Sequence, residues 1–167
     1  DGYVVMALTG VRYSDLIKIQ PVHVRVLETG EKMINFFPKK TADKKSIPLP
    51  KRAAVLLEKH GYDFKKPAHQ NFNIYIKEIC ALAKIDDEVE LFHKRGNEQI
   101  RQTKKKYEVI SAHTARHTCG TIQGAGGQNP LNIQKYLGHK KFAQTQNYIS
   151  DVTDARIKEG TAFFDGL

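Results

Sequence analysis

His113-Thr114-Ala115-Arg116-His117, then Leu137-Gly138-His139, then Gln146-Asn147-Tyr148 form the stretch whose reading decides the rest of the chain. Positions three and four apart share one face of a helix, which would align His113, Arg116 and His117. A guanidinium offers a planar fork matched to phosphate oxygens, and a neighbouring imidazole donates to the same group or shuttles a proton. Taken alone, the pattern also describes an exposed polar face. A zinc reading of His113 and His117 meets two obstacles. H-E-x-x-H puts Glu directly after the first His, where this chain has Thr114, and Arg116 would repel a cation. Gly138 suits the left-handed residue that ends a helix, which leaves His139 in the following turn, where it serves equally well as a capping residue. Tyr148 stands nine residues after His139 and is one of seven tyrosines. A phenol, with a pKa of about 10, attacks poorly unless cations or a base assist it.

Outward from that stretch, charge narrows the partner. Lys and Arg number 27 against 18 Asp and Glu, a net charge of +9 over 167 residues. Such a field favours polyanions, nucleic-acid phosphate above all, although a basic protein with no specific partner has the same balance. Hydrophobic residues make up 40% of the chain, enough for one domain with a core. Cys80 and Cys119 lie far apart, which fits the reducing cytoplasm and offers no disulfide framework. No apolar run reaches the roughly 18 residues of a membrane span, so no membrane partner is expected. The opening Asp1-Gly2-Tyr3-Val4-Val5-Met6 reads like the middle of a helix, so we expect a fragment whose upstream part has been removed.

The pattern predicts a mainly α protein with a small three-stranded antiparallel sheet, an α+β domain over 1–167. After Thr9-Gly10, Ser14 is the expected N-cap of a short helix ended by Pro21. Val22 to Val26 alternates as a strand, Met33 to Phe37 is a second, and Ser46-Ile47-Pro48-Leu49 is a third. Ala53, Leu56 and Leu57 share a helix face, as do Phe72, Ile76, Ile79 and Leu82 or Ala83 on a helix over 71–84. Within 86–110, Val89, Leu91 and Phe92 read as a strand or turn, and Tyr107 to Ile110 as a strand. Helices follow over about 112–124, 130–138 and 141–149, with the Gly124–Gly127 run expected to loosen the end of the first.

The order of these boxes resembles the tyrosine recombinases, the phage-integrase family. His-x-x-Arg-His, Leu-Gly-His and a tyrosine nine residues on are similar to the family's C-terminal half. Upstream, Thr9-Gly10-Val11-Arg12-Tyr13-Ser14-Asp15-Leu16 resembles its Thr-Gly-Leu-Arg-x-Ser-Glu/Asp-Leu box. Lys40-Thr41, ahead of Ile47-Pro48-Leu49, resembles the Lys-Thr of its β-hairpin. The likeness runs from residue 7 to about 150. Thr114-Ala115 departs slightly from the usual residues before Arg116, and the family's N-terminal DNA-clamping domain is expected to fall outside these residues.

By this resemblance the fold is a tyrosine-recombinase catalytic domain, encoded by a bacterium, phage or mobile element and working on nucleoid DNA. Tyr148 is then the nucleophile, and Arg12 and Arg116 the phosphate-binding arginines. His113 is an acid, base or donor, His139 a further donor, and Lys40 the general acid, with Lys39 its rival. No metal or other cofactor is implied. Double-stranded DNA is the expected partner, met by Lys39, Thr41, Arg101, Lys104, Lys105, Lys106 and Lys140. The basic run at 101–106 reads equally as a solvated loop. Other protomers on the DNA are the expected protein partners, reached through a C-terminal segment holding Phe163 and Phe164. A type IB topoisomerase-like enzyme and a non-catalytic DNA-binding module are the alternatives.

Overall fold

The structure is a computed structural model describing residues 1–37, 44–65, 68–96 and 98–150; for 93–95 and 147–150 the description is of the backbone alone. The predicted Lys39, Lys40 and Thr41, and the tail with Phe163 and Phe164, lie outside the described residues.

Helix α1 (Gly2–Thr9) is apolar on nearly every side, and it lies in the middle of the molecule against α3 (Lys51–Lys59) and α6 (Ala112–Ala125). It stops at Gly10, whose φ of 66° is left-handed and whose N–H donates back to the Met6 carbonyl. Two residues on, Arg12 caps α2 (Tyr13–Leu16), its carbonyl accepting from the N–H groups of Asp15 and Leu16 at 2.9 Å. The expected cap at Ser14 is therefore corrected. The chain has already turned at Gly10, and Ser14 falls inside the first turn. Helix α2 also ends well before Pro21, which instead opens a 3-10 turn, Pro21–His23.

That turn shortens the first strand to β1 (Val24–Val26), which pairs with β2 (Lys32–Phe36), and β2 pairs with β3 (Lys45–Leu49), all antiparallel. The three-stranded sheet is as expected. Alternation along β3 turns Ile47 and Leu49 into the core, so Lys45, one step earlier in the same register, faces the same way. Ile34, Phe36, Ile47 and Leu49 pack with Val5, Met6, Leu16, Ala53 and Leu57. Each fully buried aliphatic side chain contributes about 1.5–3 kcal/mol, which makes this cluster the anchor of the domain.

Helix α4 (His69–Leu82) departs from its predicted face. Ile76 is buried, but Ile79 and Leu82 are exposed, Leu82 by 84%. The helix packs on the short helix α5 (Lys106–Val109) and on α6, and neither reaches those two side chains. Residues 86–110 hold a second hairpin, β4 (Glu88–Arg95) with β5 (Glu98–Lys105), in place of an isolated strand or turn. Tyr107 lies in the helical turn α5, contrary to the strand expected there. The last helices are α6, α7 (Pro130–Leu137) and α8 (Ala143–Ser150). The glycine run leaves α6 intact to Ala125, with the left-handed turn coming at Gly127.

Candidate active site

Two helix ends and one helix face build the site. Ser111 caps α6, and its N–H donates to Thr114 Oγ1 at 3.1 Å. Thr114 thereby closes the first turn, a use for the residue that departs from the usual box. From there α6 buries Ala112, Ala115, Arg116 and Cys119 while His113 and His117 stay exposed, with ring centroids 4.7 Å apart.

Arg116 is 2% exposed, and its guanidinium holds two helix C-termini at once. Nη1 donates to the Gly10 carbonyl at 2.6 Å, at the end of α1, and Nη2 donates to the Leu137 carbonyl at the end of α7. Last-turn carbonyls lack intrahelical partners and carry the negative end of the helix dipole, so a buried cation there is compensated. A guanidinium has more N–H groups than these two bonds use, so they orient the fork without exhausting it.

Gly138 ends α7 in the left-handed region at φ 64°, as expected, and His139 follows in the turn. His139 Nδ1 lies 2.9 Å from Oγ1 of Thr145, a fully buried residue of α8. Burial, then the cations of Arg116, Lys45 and Arg12, push the His139 pKa down to about 4. The ring is therefore neutral at neutral pH. Where the Thr145 hydroxyl donates to Nδ1 the ring proton sits on Nε2, and in the other tautomer Nδ1–H donates to the hydroxyl.

Arg12 extends from the start of α2, and its Nη1 is 3.9 Å from the buried carboxylate of Asp15. Arg12, His113 and Arg116 line one cleft of about 470 Å³, together with Tyr13, Ser14 and His69. Lys45 adds a further cation. Its Nζ donates to the Leu137 carbonyl at 2.8 Å, beside Arg116. Burial and the charges of Arg116 and Arg12 hold its pKa down to about 8.

Of the predicted catalytic residues, the structure thus brings Arg12, His113, Arg116 and His139 into one neighbourhood. Tyr148 belongs to α8, three residues after Thr145, and its side chain lies outside the description. The predicted DNA contacts are dispersed. Arg101, Lys104 and Lys105 are on β5, Lys106 begins α5, and Lys140 follows His139. Arg101 stacks over Phe92 at 5.4 Å, Lys105 pairs with Glu88 at 3.1 Å and Lys106 with Asp87 at 3.7 Å. The sequence reading missed Lys45, Thr145, Asp15 and His69. Strand alternation would have turned Lys45 inward, and Asp15 sat in a recognised box without a role. Thr145 and His69 left no signal in the pattern.

Among the described residues no cluster of three or more His, Cys, Asp or Glu is arranged to hold a metal ion. Nor is any helix there long and apolar enough to cross a membrane.

Comparison with known proteins bears on the fold and the family. No curated protein matches the sequence. Among solved structures, the XerH site-specific recombinase bound to palindromic difH substrate superposes with a TM-score of 0.66 at 15% identity, covering 98% of this chain and 45% of that one. The XerA recombinase gives 0.63 at 19% identity, covering 93% and 55%. The catalytic domain of bacteriophage HP1 integrase gives 0.55 at 19% identity, covering 87% and 71%. The chain thus spans about half the length of the two Xer recombinases, and the likeness establishes a shared fold. The family model described as the phage integrase family matches residues 3–154. By that match, and with a tyrosine-recombinase catalytic-domain fold around these residues, the chain belongs to the phage integrase family.

Proposed function

We propose that this chain breaks and rejoins double-stranded DNA at a specific site through a covalent bond to Tyr148. The observation that carries the reading is the convergence of Arg12, His113 and Arg116 on one cleft, from two sequence boxes about a hundred residues apart. Cleaving a phosphodiester builds negative charge on its non-bridging oxygens, and preorganised donors aimed at them lower the barrier. Arg12 and Arg116 supply those donors, and neutral His139 adds an N–H. Tyr148 Oη attacks phosphorus while His113 accepts the phenolic proton. The bond from phosphorus to the 5′ oxygen breaks, Lys40 or its neighbour Lys39 protonates that oxygen, and a 3′-phosphotyrosyl ester remains. The ester conserves the bond energy, so a second 5′ hydroxyl reverses the step and joins the strands without a nucleotide.

XerH and the Tn1549 transposon integrase are similar in fold and were solved with DNA, which supports the same partner here. Arg101, Lys104, Lys105, Lys106 and Lys140, with Lys39 and Thr41, are assigned to the DNA backbone, where lysines act as sequence-blind charges. The segment after α8 docks on a neighbouring protomer.

The test uses a library of nicked duplexes with randomised flanks. The wild-type protein forms a denaturant-resistant adduct on a DNA 3′ end, and peptide mapping finds it on Tyr148. Tyr148→Phe binds the selected DNA and forms none. An equal adduct from Tyr148→Phe, or no adduct from the wild type, rejects the assignment.

A further inference from the structure

Lys45 is a half-buried cation that no sequence box anticipated. It begins β3, on the same inward side as Ile47 and Leu49, and the next inward position is already core. Its side chain crosses the end of α7, and Nζ donates to the Leu137 carbonyl at 2.8 Å. The same carbonyl accepts from Arg116 Nη2. The packing of the lysine stem over the neighbouring glycine describes the same placement. A methyl group at Gly138 would collide with Lys45 Cε and Nζ, so the bare left-handed glycine is what admits the lysine.

We propose that Lys45 is a positioning residue of the cleft, tying the three-stranded sheet to the Leu137–His139 turn and fixing where His139 and Arg116 stand. The proposal rests on the strand-transfer reading above and deepens it. Lys45 acts through its neighbours, with its amine held on the Leu137 carbonyl at the end of α7. A strand that shifted without this tie would let the turn carrying His139 drift, and a displacement of about 1 Å at a reacting centre can cost about 100-fold in rate. Among the described residues, the charged groups that act on Lys45 and His139 are Arg116 of α6, Arg12 and Asp15 at α2, and His117 of α6. Losing the Lys45 charge removes one of the cations that hold His139 neutral, which moves the imidazole toward protonation.

The experiment compares Lys45→Met, which keeps the length of the stem, and Lys45→Arg, which keeps charge and donor. Lys45→Met is expected to slow covalent attachment by about 10-fold to 100-fold with DNA affinity unchanged, and Lys45→Arg to restore most of the rate. A substrate with sulfur in place of the bridging 5′ oxygen needs no proton on its leaving group. It is expected to rescue Lys40→Ala and leave Lys45→Met slow. In the DNA-free protein, NMR titration of the His139 ring is expected to move upward in Lys45→Met and to stay in place in Lys45→Arg. Rescue of Lys45→Met by the sulfur substrate overturns the proposal by making Lys45 the proton donor. An unmoved His139 titration overturns it also. That titration needs no turnover, so it decides the role of Lys45 even where a wild type without adduct has sunk the strand-transfer reading.

Discussion

Nη1 of Arg116 donates to the Gly10 carbonyl at 2.6 Å, joining residues 106 positions apart in the chain. The bond makes the end of α1 part of the arginine's seat, so the first sequence box helps aim a residue of the second. Arg116→Ala should therefore affect more than chemistry. It strips donors from the Gly10 and Leu137 carbonyls, and stability should fall by about 3 kcal/mol in urea unfolding. Arg116→Lys should recover some stability but little attachment activity, because one ammonium cannot reproduce the fork.

Gly10 and Gly30 separate two costs of a left-handed glycine. At Gly10 (φ +66°) a Cβ would meet Leu137 Cδ2 at 2.7 Å and Cys119 Sγ at 3.3 Å. At Gly30 (φ +84°) it would meet nothing within 4 Å. Gly30→Ala should lose only the backbone term, about 1–2 kcal/mol. Gly10→Ala should lose that plus about 1–3 kcal/mol of overpacking. Chemical denaturation of both variants measures the difference.

The pH dependence of stability should carry a signature of His139. Its folded pKa of about 4 lies below the ordinary histidine value of about 6.5. Between those values the unfolded chain binds a proton that the folded chain refuses, so stability falls as pH drops from about 6.5 to about 4 and levels off below. His139→Gln should flatten that limb, as followed by denaturation midpoints across the range.

The bond from Thr145 to His139 connects the cleft to the helix that carries Tyr148. Thr145→Val keeps the shape and removes the hydroxyl from a fully buried position. The loss should be about 1–2 kcal/mol, with faster amide exchange in α8 and slower covalent attachment. Unchanged exchange in α8 would show that the bond does not anchor the helix.

Salt dependence of DNA binding should divide the basic residues. Lys105 and Lys106 already face Glu88 and Asp87 and must give up those partners to meet phosphate. Lys104→Gln and Lys140→Gln should each lower the slope of log K against log salt by about 1, and Lys105→Gln by less.

Much of the fold was legible before any coordinate. The left-handed stop at Gly138, the helix bearing Arg116 and the three strands were all marked, because each leaves a local trace in turn chemistry or apolar period. The β4–β5 hairpin left none. β5 is exposed along most of its length, so no alternation of burial marks its period, and pairings such as Glu88 with Lys105 become visible only once the register is set. The exposed end of α4 misled in the opposite sense, since apolar residues at helical spacing there meet no partner among the described residues.

For the site, Arg12, His113, Arg116 and His139 were named by the resemblance of their boxes, in order, to the family's motifs, and those boxes are written in the chain. Which carbonyls hold Arg116, that Lys45 shares one of them, and that Thr145 holds His139 are consequences of packing. Those bonds span 106, 92 and 6 residues and exist because two helix ends, one strand end and α8 meet in space. The resulting protonation states follow from burial and neighbouring charge, which have no counterpart in the order of residues.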